Sequence, residues 1–274
     1  MKLVWSLVSR DKSPHSQYIY DMFYLSIQMA KDLGYETILY GTIDAEERLS
    51  EFVDKFYNVD FLDYKLYDDC KFYIWETRND DYAIIDGDIF LFSKIEFKNC
   101  FVNYDMVVEK CGLDYMKKGL DILNDFGIKD IVGEWNTESQ RSFSSGIIKW
   151  NSNNRFLKYY IQSYYKLRNW YFQNEEEITK KSSELIYEKS LLSHFLCEHL
   201  LERMVNFYGV ESNELRGDSY IHWQGLDKFK NPDKVELIKQ IVTYHKTYGG
   251  TIKSVYDILL NQNKIKPLFY LSLS

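Results

Sequence analysis

Two aspartates, Asp86 and Asp88, flank Gly87 directly after the apolar run Tyr82–Ile85. Alternation along an extended chain points both carboxylates to one side. Two convergent hard oxygens suit Mg²⁺ or Mn²⁺. A cation held there can bridge diphosphate oxygens and stabilise a departing nucleoside diphosphate. Gly87 leaves room for a tight turn and for the close approach of a ligand. The plain alternative is a strand-ending turn, where Asp and Gly are common.

Other clusters carry less. His194, Cys197, Glu198 and His199 crowd one segment, and positions 194 and 198 share a helix face. The pattern is not His-Glu-x-x-His, and no further ligand is evident. Gly217 and Gly249-Gly250 make no dinucleotide fingerprint, and neither a phosphate-binding G-x-x-x-x-G-K-[ST] nor a G-x-S-x-G occurs.

The elements that must position the aspartate pair alternate between strand and helix. Lys2–Val8 suits a buried strand. Ile19, Phe23, Ile27 and Ala30 recur at helical spacing, and Gly34 closes that helix. Thr37–Tyr40 predicts a second strand ended by Gly41. Asp44–Asn58 predicts a helix, with Leu49, Phe52, Val53 and Phe56 on one side. Tyr82–Ile85 then predicts the strand that delivers Asp86. This order implies a mostly parallel sheet with covering helices, whose ligands collect at the carboxyl ends of its strands. The stretch from Phe97 to Gln140 is less regular. Asn153–Phe172 and Ser182–Phe207 predict helices joined by a polar connection, Asn174–Lys181. From Lys234 the tail predicts helix and finishes in the apolar Leu268–Leu273.

Three short motifs in order resemble those of GT-A glycosyltransferases. The first is Asp86-Gly87-Asp88, which looks like their DxD motif. The second is Phe143-Ser144-Ser145-Gly146-Ile147-Ile148, similar to the N-x-G-hydrophobic stretch that lines the donor-sugar and acceptor pocket, with Ser145 standing where Asn is frequent. The third is Tyr220–Lys228, in which His222, Gly225 and Lys228 resemble the H-x-x-G-x-x-K of the glycogenin and lipopolysaccharide galactosyltransferase family. The resemblance implies that His222 is the third protein ligand of the metal, and that Gly225 and Lys228 meet the diphosphate. The chemistry agrees: neutral imidazole ligates Mn²⁺ well, glycine admits a phosphate close to the backbone, and lysine is a point charge. Taken alone, this segment reads as a loop with a His-Trp pair and a surface lysine; in company with the other two, the ligand reading takes precedence.

The same resemblance gives weaker assignments. Glu188, before a Leu-rich helix, stands where related enzymes carry a residue that contacts an acceptor hydroxyl or acts as general base; here Lys189 replaces the usual Gln, and a solvated helix carboxylate is the alternative. Trp5 and Ser6 end the first strand where the family binds base and ribose, and Trp5 is either a stacking ring or a core side chain. Lys71 and Arg78 precede the DxD strand, where a basic residue often touches the donor.

The fold class implied is α/β: a Rossmann-like GT-A domain over residues 1–230 with a helical C-terminal extension over 231–274. The activity implied is metal-dependent transfer of a sugar from a nucleotide-sugar donor, first of all a UDP-sugar, to a glycan or other hydroxyl acceptor, with Mn²⁺ or Mg²⁺ as cofactor. Two alternatives stand beside it. One is a phosphohydrolase of the haloacid dehalogenase type, whose D-x-D usually lies near the N-terminus. The other is a non-catalytic domain that binds a nucleotide sugar or glycan.

Composition bounds these readings. At 274 residues the chain can bury a substantial core. A net charge of −7 argues against a nucleic-acid partner. The 24 tyrosines match a coding bias toward AT-rich codons better than a sugar-binding surface, since many fall at helical core spacing. Four scattered cysteines, Cys70, Cys100, Cys111 and Cys197, read as reduced thiols. With no secretory signal and no apolar run near the roughly 18 residues of a membrane span, a soluble, cytoplasmic protein is expected.

Overall fold

A computed structural model of the chain describes residues 1–8, 15–63, 68–95, 97, 101–105, 124–127, 142–149, 155–182, 200–201, 220–223, 232–262 and 264. In chain order the elements are β1 Lys2–Leu7, α1 Gln17–Asp32, β2 Glu36–Gly41, α2 Ile43–Leu49, β3 Lys55–Asn58, α3 Asp69–Thr77, β4 Tyr82–Ile85, β5 Ile89–Leu91, β6 Phe101–Asp105, β7 Ser142–Lys149, α4 Arg155–Gln173, α5 Glu175–Ser182, β8 Tyr220–His222, α6 Pro232–Tyr248 and α7 Ile252–Asn261. They fall into two compact units, one of Met1–Asp63, Asp81–Phe97 and Leu215–Ser274, the other of Tyr64–Asp80 and Lys98–Glu214.

The first unit is built on four parallel strands in the order β3-β2-β1-β4. Leu3, Val4, Trp5 and Leu7 are all buried, so β1 is covered on both faces, as a central strand of a parallel sheet must be. Helix α1 presents Phe23, Ile27 and Ala30 to this core as the spacing predicts. Gly34, at φ +78, terminates the turn that follows it in a conformation that L side chains adopt only at a cost. The Trp5 indole N–H donates to Ser26 Oγ at 3.0 Å, and Ser26 in turn donates to the Ile89 carbonyl at 2.6 Å. This buried relay ties β1 through α1 to β5.

The helix expected over Asp44–Asn58 is shorter. It stops at Leu49, passes through a 3₁₀ turn at Ser50–Phe52, and becomes strand β3. Asp54 is the cause. Its carboxylate accepts from the Thr37 N–H at 2.8 Å and the Thr37 hydroxyl at 3.0 Å, while its own N–H donates to the Thr37 carbonyl at 3.0 Å. That clamp lines the chain up with β2, and pairing along Ile38–Gly41 overrides the helical spacing of Leu49, Phe52 and Phe56.

The C-terminal helices α6 and α7 pack on α1. Ile252 N–H donates to Asp32 of α1 at 2.7 Å, and Thr251 and Ser254 form a reciprocal cap at the start of α7. His245 Nε2 lies 3.0 Å from the Gly250 carbonyl, which can only accept. Nε2 therefore donates, and Nδ1 is hydrogen-bonded to the Tyr24 hydroxyl at 2.6 Å.

In the second unit, α3 packs on α4. Phe72 stacks on Tyr164 with centroids 3.5 Å apart, and Asp69 accepts from Arg168 at 2.7 and 3.0 Å and from the Tyr164 hydroxyl at 2.7 Å. Strands β6 and β7 pair antiparallel, and β6 lies in the stretch expected to be irregular. The polar segment expected to connect two helices is itself helix α5. Glu175, Glu176 and Glu177 open it at the end where the helix dipole favours negative charge, and Ile178 buries completely. Of the helix expected over Ser182–Phe207, Ser182 ends α5, and Leu200 and Leu201 are described and helical; the tail Leu268–Leu273 lies outside the described residues. No described helix is long and apolar enough to cross a membrane. The α/β class with a mostly parallel sheet, flanking helices and a helical C-terminal part is the architecture observed.

Candidate metal centre

Strand β4 ends at Ile85, and the chain turns at once: the Ile89 N–H donates to the Asp86 carbonyl at 3.2 Å. Strand β5 follows and pairs antiparallel with β8, with Ile89 opposite His222. The next rung beyond the ladder is also closed, since the Trp223 N–H donates to the Asp88 carbonyl at 3.0 Å. Two segments more than a hundred residues apart in sequence are thereby locked side by side. The result is a cluster: one ligand atom from each of Asp86, Asp88 and His222 lies within 4.8 Å of the others. His222 Nε2 is 3.5 Å from Asp88 Oδ1. Asp88 is buried, and Asp86 and His222 are half-buried. Two carboxylate oxygens and one imidazole nitrogen at this spacing fit a divalent cation of the Mn²⁺ or Mg²⁺ kind, with open coordination positions left for a ligand.

Gly87 lies in the turn its spacing suggests, and the structure adds a second reason for a glycine there. Its backbone is not in the left-handed region. A Cβ placed there would fall 2.2 to 2.5 Å from ring atoms of Phe23. The glycine makes room for a buried ring of α1, and so seats the metal-binding turn directly on the helix.

Spacing gave no sign of Tyr18, and marked Trp223 only as half of a His-Trp pair. Tyr18, at the start of α1, has its hydroxyl pushed up to about 12, first by burial and then by the negative charge of Asp88. It stays protonated at neutral pH, facing the acidic cluster. Trp223 is buried edge-on against Phe90, with centroids 5.0 Å apart, and Lys234 lies over its indole with Nζ 5.2 Å from the ring centroid. Only the position of Trp223 after His222 could have marked it.

The other expected residues are placed as follows. Trp5 is fully enclosed, so its ring is a core side chain with no face open to a base, and Ser6 beside it is buried. Lys71 is buried on α3, with Nζ 3.5 Å from Asp68, itself buried. Arg78 grips Asp80 through Nε at 2.8 Å and Nη2 at 2.5 Å. Ser145 and Gly146 lie in β7, where the ladder to β6 breaks: Val102 pairs with Ile148 but the next residue, Asn103, pairs with Ser144. The intervening Ser145, Gly146 and Ile147 form a bulge, a device that re-aims backbone and side chains. Glu188, Gly225 and Lys228 lie outside the described residues, as does the cluster His194 to His199.

No protein-family model and no curated protein matches the chain. Solved structures do. A mouse xyloside xylosyltransferase 1 is 12% identical over 86% of this chain and 92% of its own, with a TM-score of 0.43. The galactosyltransferase LgtC, solved with donor and acceptor sugar analogues, is 12% identical over 89% of this chain and 95% of its own, with a TM-score of 0.44. The glycosyltransferase GlyE of Streptococcus pneumoniae TIGR4 is 9% identical; 96% of this chain matches 64% of that one, with a TM-score of 0.48. These are likenesses of fold, and a fold hosts many chemistries. The function has to be argued from the centre itself.

Proposed function

We propose that the chain is a metal-dependent glycosyltransferase that moves a sugar from a nucleoside-diphosphate sugar, first of all a UDP-sugar, to a hydroxyl of a glycan or glycoconjugate. The observation that carries this reading is the convergence of Asp86, Asp88 and His222 at the carboxyl end of a parallel strand, where α/β sheets collect ligands. Bound there, Mn²⁺ or Mg²⁺ would supply Lewis-acid stabilisation of the diphosphate oxygens. The chain's own residues do the rest. Asp86, Asp88 and His222 hold the cation. Gly225 admits the phosphates close to its backbone, and Lys228 offsets the charge that grows on the leaving group. Ser6 contributes to the donor site, and Ser145 and Gly146 shape the sugar pocket. Glu188 orients the acceptor hydroxyl as its oxygen replaces the diphosphate oxygen on the anomeric carbon.

The test is a screen of nucleotide sugars for Mn²⁺-dependent release of nucleoside diphosphate, run with the wild type and with Asp88→Ala. Release that needs both the metal and Asp88 supports the reading. If no nucleotide binds with metal present, or Asp88→Ala turns over normally, the reading is wrong. A phosphatase screen with the same proteins separates hydrolysis of a phosphomonoester.

A further inference from the structure

We infer that Ser26 is a positioning residue for the Asp86, Asp88 and His222 centre: from the middle of α1 its hydroxyl holds the carbonyl of Ile89, the residue that follows Asp88 and stands opposite His222. This rests on the metal-dependent reading proposed above. Ser26 Oγ donates to the Ile89 carbonyl at 2.6 Å and accepts from the Trp5 indole N–H at 3.0 Å. All three residues are buried. An indole N–H can only donate and a carbonyl can only accept, so the single hydroxyl proton is directed at Ile89. A serine inside a helix often bonds back to its own preceding turn. Ser26 instead bonds to residues 21 and 63 positions away.

Ile89 is where such a hold has an effect on the ligands. The Trp223 N–H donates to the Asp88 carbonyl, so Asp88 and Trp223 form a hydrogen-bonded pair of the antiparallel ribbon. Pair types alternate along such a ribbon. Ile89 and His222, on the neighbouring rung, are therefore a non-hydrogen-bonded pair, and the N–H and C=O of Ile89 point away from β8. Among the described residues no third strand joins the ribbon to receive them. The N–H goes to the Asp86 carbonyl at 3.2 Å and closes the turn between the two carboxylates. The C=O goes to Ser26. A buried carbonyl deprived of its donor is costly, and the backbone shifts to find another.

The same face of α1 makes a second contact. Phe23 lies one turn before Ser26, and its ring is what leaves no room for a Cβ at Gly87. Gly87 and Ile89 flank Asp88. One turn of a buried helix thus holds the chain on both sides of a ligand, while Trp223 holds that ligand's own carbonyl. The carboxylate is set in place before a cation arrives, and ligands fixed in advance bind more tightly than ligands that must be ordered on binding.

The test compares wild type, Ser26→Ala, Ser26→Cys and Ile27→Val, with Mn²⁺ alone as the probe. Electron paramagnetic resonance follows free Mn²⁺ through a titration and records the spectrum of the bound ion, which reports the symmetry of its ligands. Ser26→Ala is expected to weaken Mn²⁺ binding about tenfold, the low end of what losing a group that orients a metal ligand costs, and to alter the bound spectrum. Ser26→Cys fills the same space with a weak S–H donor; it should fall between wild type and Ser26→Ala, and it carries the comparison if Ser26→Ala does not fold. Ile27→Val trims the buried neighbour on the same helix without touching the hydroxyl. It should lower the melting temperature and change Mn²⁺ affinity less than about twofold on the same scale. Unchanged affinity and spectrum in the Ser26 variants overturns the inference and leaves the centre standing. An equal loss of affinity in Ile27→Val also overturns it, since that marks Ser26 as packing for α1 alone. If wild type itself binds no Mn²⁺, the metal-dependent reading fails and this inference with it; that result appears before any variant is compared.

Discussion

At the scale of single residues, the centre depends on side chains whose removal should have different signatures. Asp88 supplies a ligand atom, and its carbonyl closes the rung to Trp223. Only the side chain changes in Asp88→Ala, so the rung survives while the ligand set drops to two. Metal-dependent release of nucleoside diphosphate is expected to fall by roughly a hundredfold or more, with the melting temperature of the metal-free protein little changed. Gly87→Ala should do the reverse. Its methyl group would press on the Phe23 ring, and overpacking of this kind costs about 1–3 kcal/mol. Denaturant unfolding should show that loss, and Phe23→Leu in the same chain should return part of it. The two carboxylates were legible from residue type and spacing, whereas the imidazole was legible only through the resemblance of its segment to a known motif, since taken alone that segment reads as a loop. The reason for Gly87 was not, because the ring that requires it sits on a helix some sixty residues earlier, and no local pattern links the two.

At the scale of elements, strand β3 is an edge strand with largely exposed side chains and depends on the Asp54–Thr37 clamp. Burial pushes the Asp54 carboxyl up, but the Thr37 N–H and hydroxyl and the charge of Lys31, 3.6 Å away, more than offset this and hold it below its ordinary value of 3.8. A carboxyl lowered on folding adds stability that is fully present above the unfolded value and is lost as pH falls through the folded one. Wild type should thus be more stable than Asp54→Asn from neutral pH down to about pH 4, and the gap should close at lower pH; chemical denaturation across that range measures it. The same clamp explains why sequence periodicity misread β3. Leu49, Phe52, Val53 and Phe56 do recur at helical intervals, and only a partner strand in three dimensions decides against them. Strands β1, β2 and β4 were legible because their runs are largely apolar, and those of β2 and β4 end at Gly41 and Asp86. Strands β5 and β8, of three residues each, are too short for any period to register. Helix α5 was masked by its charge, since a single buried Ile178 gives no stripe.

At the scale of the whole molecule, the C-terminal helices act as part of the fold that carries the metal centre. Leu237, Ile238, Ile241, Val242, Val255 and Leu259 are buried in them. Six such side chains represent about 9–18 kcal/mol of transfer free energy, comparable with the entire stability of a typical domain. A chain ending after residue 231 is expected to lose cooperative unfolding, which circular dichroism on heating would show. The pairing of β5 with β8 also sets a schedule. Synthesis delivers Asp86 and Asp88 early, and His222 follows 134 residues after Asp88. At ordinary rates of translation that is an interval of roughly 7–27 s. Throughout it the nascent chain carries two of the three ligands, and any product broken off in that interval lacks the imidazole of His222. Competence arrives in one late step, when the ribosome has passed the last ligand and the short strand bearing it has found its partner.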